Sequence, residues 1–194
     1  MTPTVASLRA LSTLSKFTDP ELSILLGVAE VTRLLPNQVL CHQGAPGASC
    51  FLLVDGELDI SHASDGVESS LGVARPGAFI GQISLVDHGL RSATVRARVD
   101  SVLLELSRAT FDLMLRARSP VALHFQELIA IAGIRQHRAA IARLNALAAR
   151  EPDAARRESM MQIIRAASGE WGISLDEVDA VTVVEPELPR VRPR

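Results

Sequence analysis

At 194 residues the chain is long enough for one well-cored domain plus an appendage. Its 20 Lys and Arg against 22 Asp and Glu leave a net charge of −2, which excludes a general bias toward nucleic acid or an anionic membrane surface. No apolar run approaches a membrane span, the N-terminus lacks a basic flank with a signal-like core, and two cysteines make no disulfide framework; these features predict a soluble cytoplasmic protein.

Residues 5 to 28 predict two short helices. Leu8, Leu11 and Leu14 mark one face of the first, and Asp19-Pro20 opens the second with an N-cap and a proline at the first helical position. From Val31 to Ser107 the texture changes to short apolar runs broken by turn residues at Pro36-Asn37, Gly44 to Gly47, Asp55-Gly56, Asp65-Gly66 and Pro76-Gly77. Turns spaced by about ten residues predict an antiparallel barrel or jelly roll flanked by helices, an α+β, mainly β fold. Asp55-Gly56, between Phe51–Val54 and Leu58–Ile60, reads as the strongest hairpin signal.

After a last strand at Val102 to Leu106, Ser107 to Arg116 predicts a short helix with Phe111, Met114 and Leu115 on its apolar face. Pro120 starts a long helix running to about Ala149. Within it Ala130, Ile134, His137, Ile141, Leu144 and Ala148 step alternately by four and three, a coiled-coil-like seam that predicts a homodimer through residues 120–149. The alternative is a helix packed within its own chain. Leu123, Leu128 and Ile131 form a second row facing elsewhere, and Arg135, Arg138, Arg143 and Arg150 read as its solvated side. Beyond Glu151-Pro152 a third helix is expected to about Ala167, apolar at Met160, Met161, Ile163 and Ile164 and stopped by Ser168-Gly169. Ser174 and Glu177 form a capping box for a short helix to about Val181, before a Pro- and Arg-rich end predicted to be disordered. The expected division is therefore 1–149 and 150–194.

The stretch Gly77 to Ala97 organises the rest. Phe79-Ile80-Gly81-Gln82-Ile83-Ser84-Leu85 predicts a strand end turning through glycine into one short helical turn. After a loop at Asp87-His88-Gly89, Arg91-Ser92-Ala93-Thr94-Val95 alternates like a half-buried strand. Free N–H groups at a helix start attract anions, and an arginine fork downstream can grip two oxygens of one phosphate. This pattern predicts a phosphate pocket.

The same stretch resembles the phosphate-binding cassette of the cyclic nucleotide-binding domain family, that of the bacterial catabolite activator protein. Gly81, Ser84, Leu85, Arg91, Ser92, Ala93 and Thr94 fit the family pattern, while Gln82 replaces its glutamate and Leu90 its proline. The resemblance extends through Gln43-Gly44, Gly47, Phe51 and Val54-Asp55-Gly56 upstream and Phe111 downstream, covering roughly residues 8 to 149; residues 150–194 have no comparable match. It implies an antiparallel jelly-roll β-barrel in which Arg91 pairs with a cyclic phosphate and Ser92 contacts phosphate or base. Gly81 would admit the sugar phosphate, with N–H groups of Ile83, Ser84 and Ala93 completing the cradle. Gln136, His137 and Arg138 fall where the family's long helix covers the purine, although His137 also lies in the proposed seam. The family glutamate accepts a hydrogen bond from the ribose 2′-hydroxyl; the Gln82 carbonyl can accept the same bond more weakly, the alternative being a degenerate pocket kept as fold.

The resemblance implies a cyclic mononucleotide-binding regulatory protein in signal transduction, with cyclic AMP as ligand and cyclic GMP second, signalling through helix rearrangement and contacts with an unnamed protein partner. Alternatives are a ligand-free interaction scaffold and a catabolite activator-type transcription regulator. For the latter the would-be reading helix, Leu175-Asp176-Glu177-Val178-Asp179, carries acidic groups that repel phosphates, so DNA is not an expected partner. Cys41, His42, Cys50 and His62 lack metal-site spacing, and no catalytic arrangement is identifiable; neither enzyme activity, a metal nor a cofactor is expected.

Overall fold

The computed structural model describes residues 2–169, whose described part divides into a first compact unit up to Ile129 and a second from Ala130 onward. In the first unit the predicted turn pairs separate antiparallel strands: β1 Glu30–Leu34, β2 Val39–Cys41, β3 Ser49–Asp55, β4 Leu58–Ser64, β5 Val67–Ala74, β6 Phe79–Ile80, β7 Thr94–Ala97 and β8 Ser101–Ser107. They form two four-stranded sheets, ordered β1-β8-β3-β6 and β2-β7-β4-β5. The jelly roll is thus present, with one correction. Among the described residues no ladder joins the sheets at their edges, so the fold is a sandwich rather than a closed barrel.

The core follows from the two-residue period of the strands. In β3, Cys50 to Val54 is apolar at every position because both of its faces are covered. Phe51 and Leu53, with Leu103 of β8, turn between the sheets onto Leu58, Ala74, Val95 and Ala97. Cys50, Leu52 and Val54, with Leu104 and Leu106, turn outward to a core shared with the helices. The hairpin expectation at Asp55-Gly56 is not met. β3 and β4 lie in different sheets, and Gly56, at φ +98°, carries the chain from one to the other. The two-residue hairpin is Asp65-Gly66, both residues at positive φ, joining β4 to β5 in register from Ser64↔Val67.

The helices are α1 Val5–Arg9, a 3-10 turn at Ser12–Leu14, α2 Asp19–Val28, α3 Gln82–Asp87, α4 Arg108–Arg116, α5 Pro120–Arg150 and α6 Ala154–Gly169. Leu8, Leu11 and Leu14 are all buried, but they fall on α1, the link after it and the 3-10 turn rather than on one helix. Phe125 of α5 is the hub of the helical core, with the rings of Phe17, Phe79 and Phe111 at centroid distances of 6.0, 5.3 and 6.5 Å. The core row of α5 is Val121, Ala122, Phe125 and Leu128, whereas Leu123 is exposed. In the second unit Asp153 caps α6, its Oδ1 accepting from the N–H groups of Ala155 and Arg156 at 2.9 and 3.0 Å. Of the proposed seam, Ala148 is buried, Ile134 and Ile141 are half-buried, and Ala130 and Leu144 are exposed. The expected helix at Ser174 and the Pro- and Arg-rich end lie outside the described residues. Among the described residues no helix is long and apolar enough to cross a membrane.

The N-cap of α2 is Thr18, one residue earlier than predicted, so Asp19 and Pro20 occupy the first turn. Glu21 closes the cap: its Oε2 accepts from Thr18 N at 2.7 Å and from Thr18 Oγ1 at 2.8 Å, while Oε1 lies 3.4 Å from His124 Nδ1. The Thr18 N–H above all, opposed by burial, holds the Glu21 carboxyl below its ordinary value of 4.5. A carboxyl with a lowered folded pKa contributes stability that is present above the ordinary value and lost as pH falls through the lowered one. Glu21→Gln should therefore flatten the acid-side fall of the melting temperature below about pH 4.5. Circular-dichroism melts across that range check this, and an unchanged slope would contradict it.

Candidate functional site

The segment between β6 and β7 is positioned from both ends. β6 pairs with Phe51 and Leu52 of β3, and Gly81 then turns at φ +72° into α3. A Cβ on Gly81 would stand 1.8 Å from Arg91 Nη1, so glycine is required both by the left-handed backbone and by the guanidinium that fills the space. Ile83 and Ser84 take the second and third helical positions, whose N–H groups have no acceptor within the helix.

Arg91 is fixed by the turn before β3. Its N–H donates to Ala45 O and its carbonyl accepts from Gly44 N, each at 2.8 Å. Gly47 in the same turn lies so close to α3 that a Cβ would meet Ser84 Oγ at 2.3 Å. The Arg91 side chain is 7% exposed. Its Nη1 donates to Ser84 Oγ at 2.9 Å and to Gly81 O at 3.3 Å, and Nη2 donates to Ser49 Oγ at 3.3 Å. The guanidinium carbon sits 5.6 Å from the centre of the Phe51 ring. Among the described residues Arg91 makes no ion pair. Its charge is therefore buried among neutral partners, where an approaching anion is attracted more strongly than in water.

Gln82 is as buried, at 6% exposed, and among the described residues its amide makes no hydrogen bond. Neither amide atom is sealed from solvent, so both its donor and its acceptor remain available. Ala93 is buried, Ser92 is exposed, and the Ile83 side chain points out at 44% exposed. The two ends of one short segment thus assemble Gly81, Gln82, Ile83, Ser84, Arg91, Ser92 and Ala93. Gln136, His137 and Arg138 lie on α5 in the second unit, and the side chains of the first two are outside those described. Ser49 was not legible in advance; its only mark is a small polar residue opening an otherwise apolar strand.

Burial favours the protonated thiol at both cysteines near this site. Burial pushes the Cys50 thiol up to about 12 and also raises Cys41, outweighing the opposite pull of the Arg91 charge on both. Among the described residues no three His, Cys, Asp or Glu side chains cluster as metal ligands.

A two-sheet sandwich with this cassette defines a class, and residues 31–118 match the family model of the cyclic nucleotide-binding domain. The match spans 88 of the 194 residues, and it takes in both ends of the Gly81–Ala93 segment. Among solved structures it is similar to the N-terminal domain of a transcriptional regulator from Streptomyces coelicolor A3(2), at 29% identity and a TM-score of 0.57, covering 64% of this chain and 89% of that one. It is similar too to a cAMP-binding acyltransferase from Mycobacterium smegmatis, at 31% identity and a TM-score of 0.55, covering 71% of this chain and 41% of that one. A cAMP-dependent protein kinase regulatory subunit from Colletotrichum orbiculare is 30% identical over 108 residues, 56% of this chain and 27% of that protein. The chain spans 22% to 27% of the length of the first curated relatives it matches.

Gly81→Ala tests the geometry directly. The methyl group meets the guanidinium and the backbone is left-handed, so the substitution should destabilise the fold by about 1–2 kcal/mol. Urea unfolding of both proteins measures the difference, and equal midpoints would mean that Arg91 does not fill this space.

Proposed function

We propose that the chain is a cyclic mononucleotide-binding regulatory protein, with cyclic AMP as ligand and cyclic GMP as second choice. The observation that carries this reading is the buried Arg91 guanidinium, without a carboxylate partner, beside the α3 N–H groups in a segment that matches this family's model. In the proposed complex the cyclic phosphate meets Arg91 and the N–H groups of Ile83, Ser84 and Ala93. The Gln82 carbonyl accepts from the ribose 2′-hydroxyl, and Ser92 adds a hydroxyl at the rim. Kinase regulatory subunits among the relatives support a sensor role, and the reading is of a cytoplasmic, non-catalytic protein whose output passes through helix rearrangement and a protein partner. Ligand drives such a change only through unequal affinity for the two helix arrangements.

A second reading, a scaffold with a degenerate pocket, draws on one observation: Ser49, Ser84 and Gly81 already engage the Arg91 donors. Calorimetric titration of the intact chain with both nucleotides separates the two. A charge-assisted contact contributes about 1.5–3 kcal/mol, so Arg91→Ala should weaken binding by roughly 10- to 100-fold in protein that remains folded by circular dichroism. Absence of heat with either nucleotide from folded wild-type protein would favour the scaffold.

We further propose that a second copy packs along the α5 seam. The pair Ile141→Glu and Leu144→Glu should then convert a dimer to a monomer in sedimentation velocity, and a wild-type monomer at about 100 μM would rule this out, since a Kd weaker than that corresponds to less than about 5.5 kcal/mol of association free energy.

A further inference from the structure

The first residue of α4 carries a charge that its own helix does not favour. Arg108 stands at the N-terminal position of α4, where the helix dipole disfavours a cation. Its side chain is half-buried and serves another element. Nε donates to Leu85 O at 3.3 Å, and Nη2 donates to Ser84 O and Gly47 O. Ser84 and Leu85 belong to the last turn of α3, whose carbonyls lack partners within the helix and whose dipole favours a nearby cation. The Arg108 main chain is tied to the same region, its N–H donating to Ala48 O at 2.8 Å.

Ser84 is consequently held by two arginines. Arg91 donates to its hydroxyl and Arg108 to its carbonyl. The hydroxyl in turn donates to Gly81 O at 2.9 Å, closing the first turn of α3 on the residue that makes room for Arg91. All three Arg108 acceptors are main-chain carbonyls, so the contact fixes backbone position rather than a particular side chain. It joins the Gly47 turn, α3 and α4 at one guanidinium.

We propose that Arg108 is the positioning residue of the cassette, setting the place of α3 and the Gly47 turn around Arg91. Its effect on ligand affinity rests on the sensor reading above, whereas its effect on α3 does not. A planar fork can serve several carbonyls together, while a lysine ammonium delivers the charge to fewer of them.

Hydrogen–deuterium exchange on the full ligand-free chain tests the placement. Hydrogen bonds from a charged group are strong enough that Arg108→Gln should speed exchange across residues 44–48 and 82–89 by about tenfold or more beyond any change in β3 and β8. Arg108→Lys should recover part of that protection, and it decides the matter if the glutamine variant does not fold. Exchange in these segments that tracks β3 and β8 in both variants overturns the proposal. Cyclic AMP titrated into the same proteins should bind about tenfold more weakly to Arg108→Gln than to wild type, with Arg108→Lys between them. If wild type takes up no cyclic AMP or cyclic GMP, the sensor reading falls and the exchange comparison alone decides the role of Arg108.

Discussion

The site depends on keeping one positive charge out of water without a negative one beside it. Arg91 is surrounded by two hydroxyls, a carbonyl and an aromatic face. These contacts satisfy the geometry of the guanidinium but do not cancel its charge, and desolvating an uncompensated ion is costly. The surroundings are built to tolerate that cost: Gly81 leaves the volume, the Gly44–Gly47 turn fixes the backbone, and the strands wall off the rest. A nearby glutamate would have neutralised the cation internally. Gln82 is neutral, so under the proposed function the electrostatics of this segment depend more on the bound anion than those of a glutamate-bearing version would.

Rigidity around the charge comes from several short-range devices acting on the same few atoms. The hydroxyl of Ser84 bridges Gly81 and Arg91, its carbonyl reaches Arg108, and its Cβ packs against the bare Cα of Gly47. Such a node has few alternative arrangements, since a shift at one contact disturbs the others. Ile83 and Val86 of the same helix are exposed, so the outer face of α3 meets solvent.

Strand boundaries were legible because turn chemistry and alternation acted locally, and the cassette because Gly81, Ser84 and Arg91 sit at fixed offsets in one short segment. Partner choice among strands was not. Asp55-Gly56 carries the chemistry of a hairpin, yet its strands separate into opposite sheets: β8 and β6 take the two hydrogen-bonding edges of β3, while the other sheet and the helices cover its two faces. Ser49 and Arg108 escaped notice for a related reason. They act across 42 and 24 positions of sequence on Arg91 and Ser84, distances that no local pattern records. A trace did exist in Arg108, a cation at a helix start where its own dipole opposes it. Of the second row read on α5, Leu128 enters the core while Leu123 is exposed, since Val121, Ala122 and Phe125 set which face turns inward.

The pairing of β1 with β8 bears on how the domain comes into being. The first strand of the sandwich and the last lie side by side, in register from Glu30↔Glu105 to Leu34↔Ser101. A chain leaving the ribosome therefore exposes β3, apolar on both faces, until almost the whole domain has been synthesised. Topologies dominated by such distant pairings fold slowly, on the order of milliseconds to seconds. The last strand supplies the central neighbour of both β1 and β3 and leads straight into Arg108. Completion of this sheet by β8 therefore also delivers Arg108 to the carbonyls of α3 and the Gly47 turn.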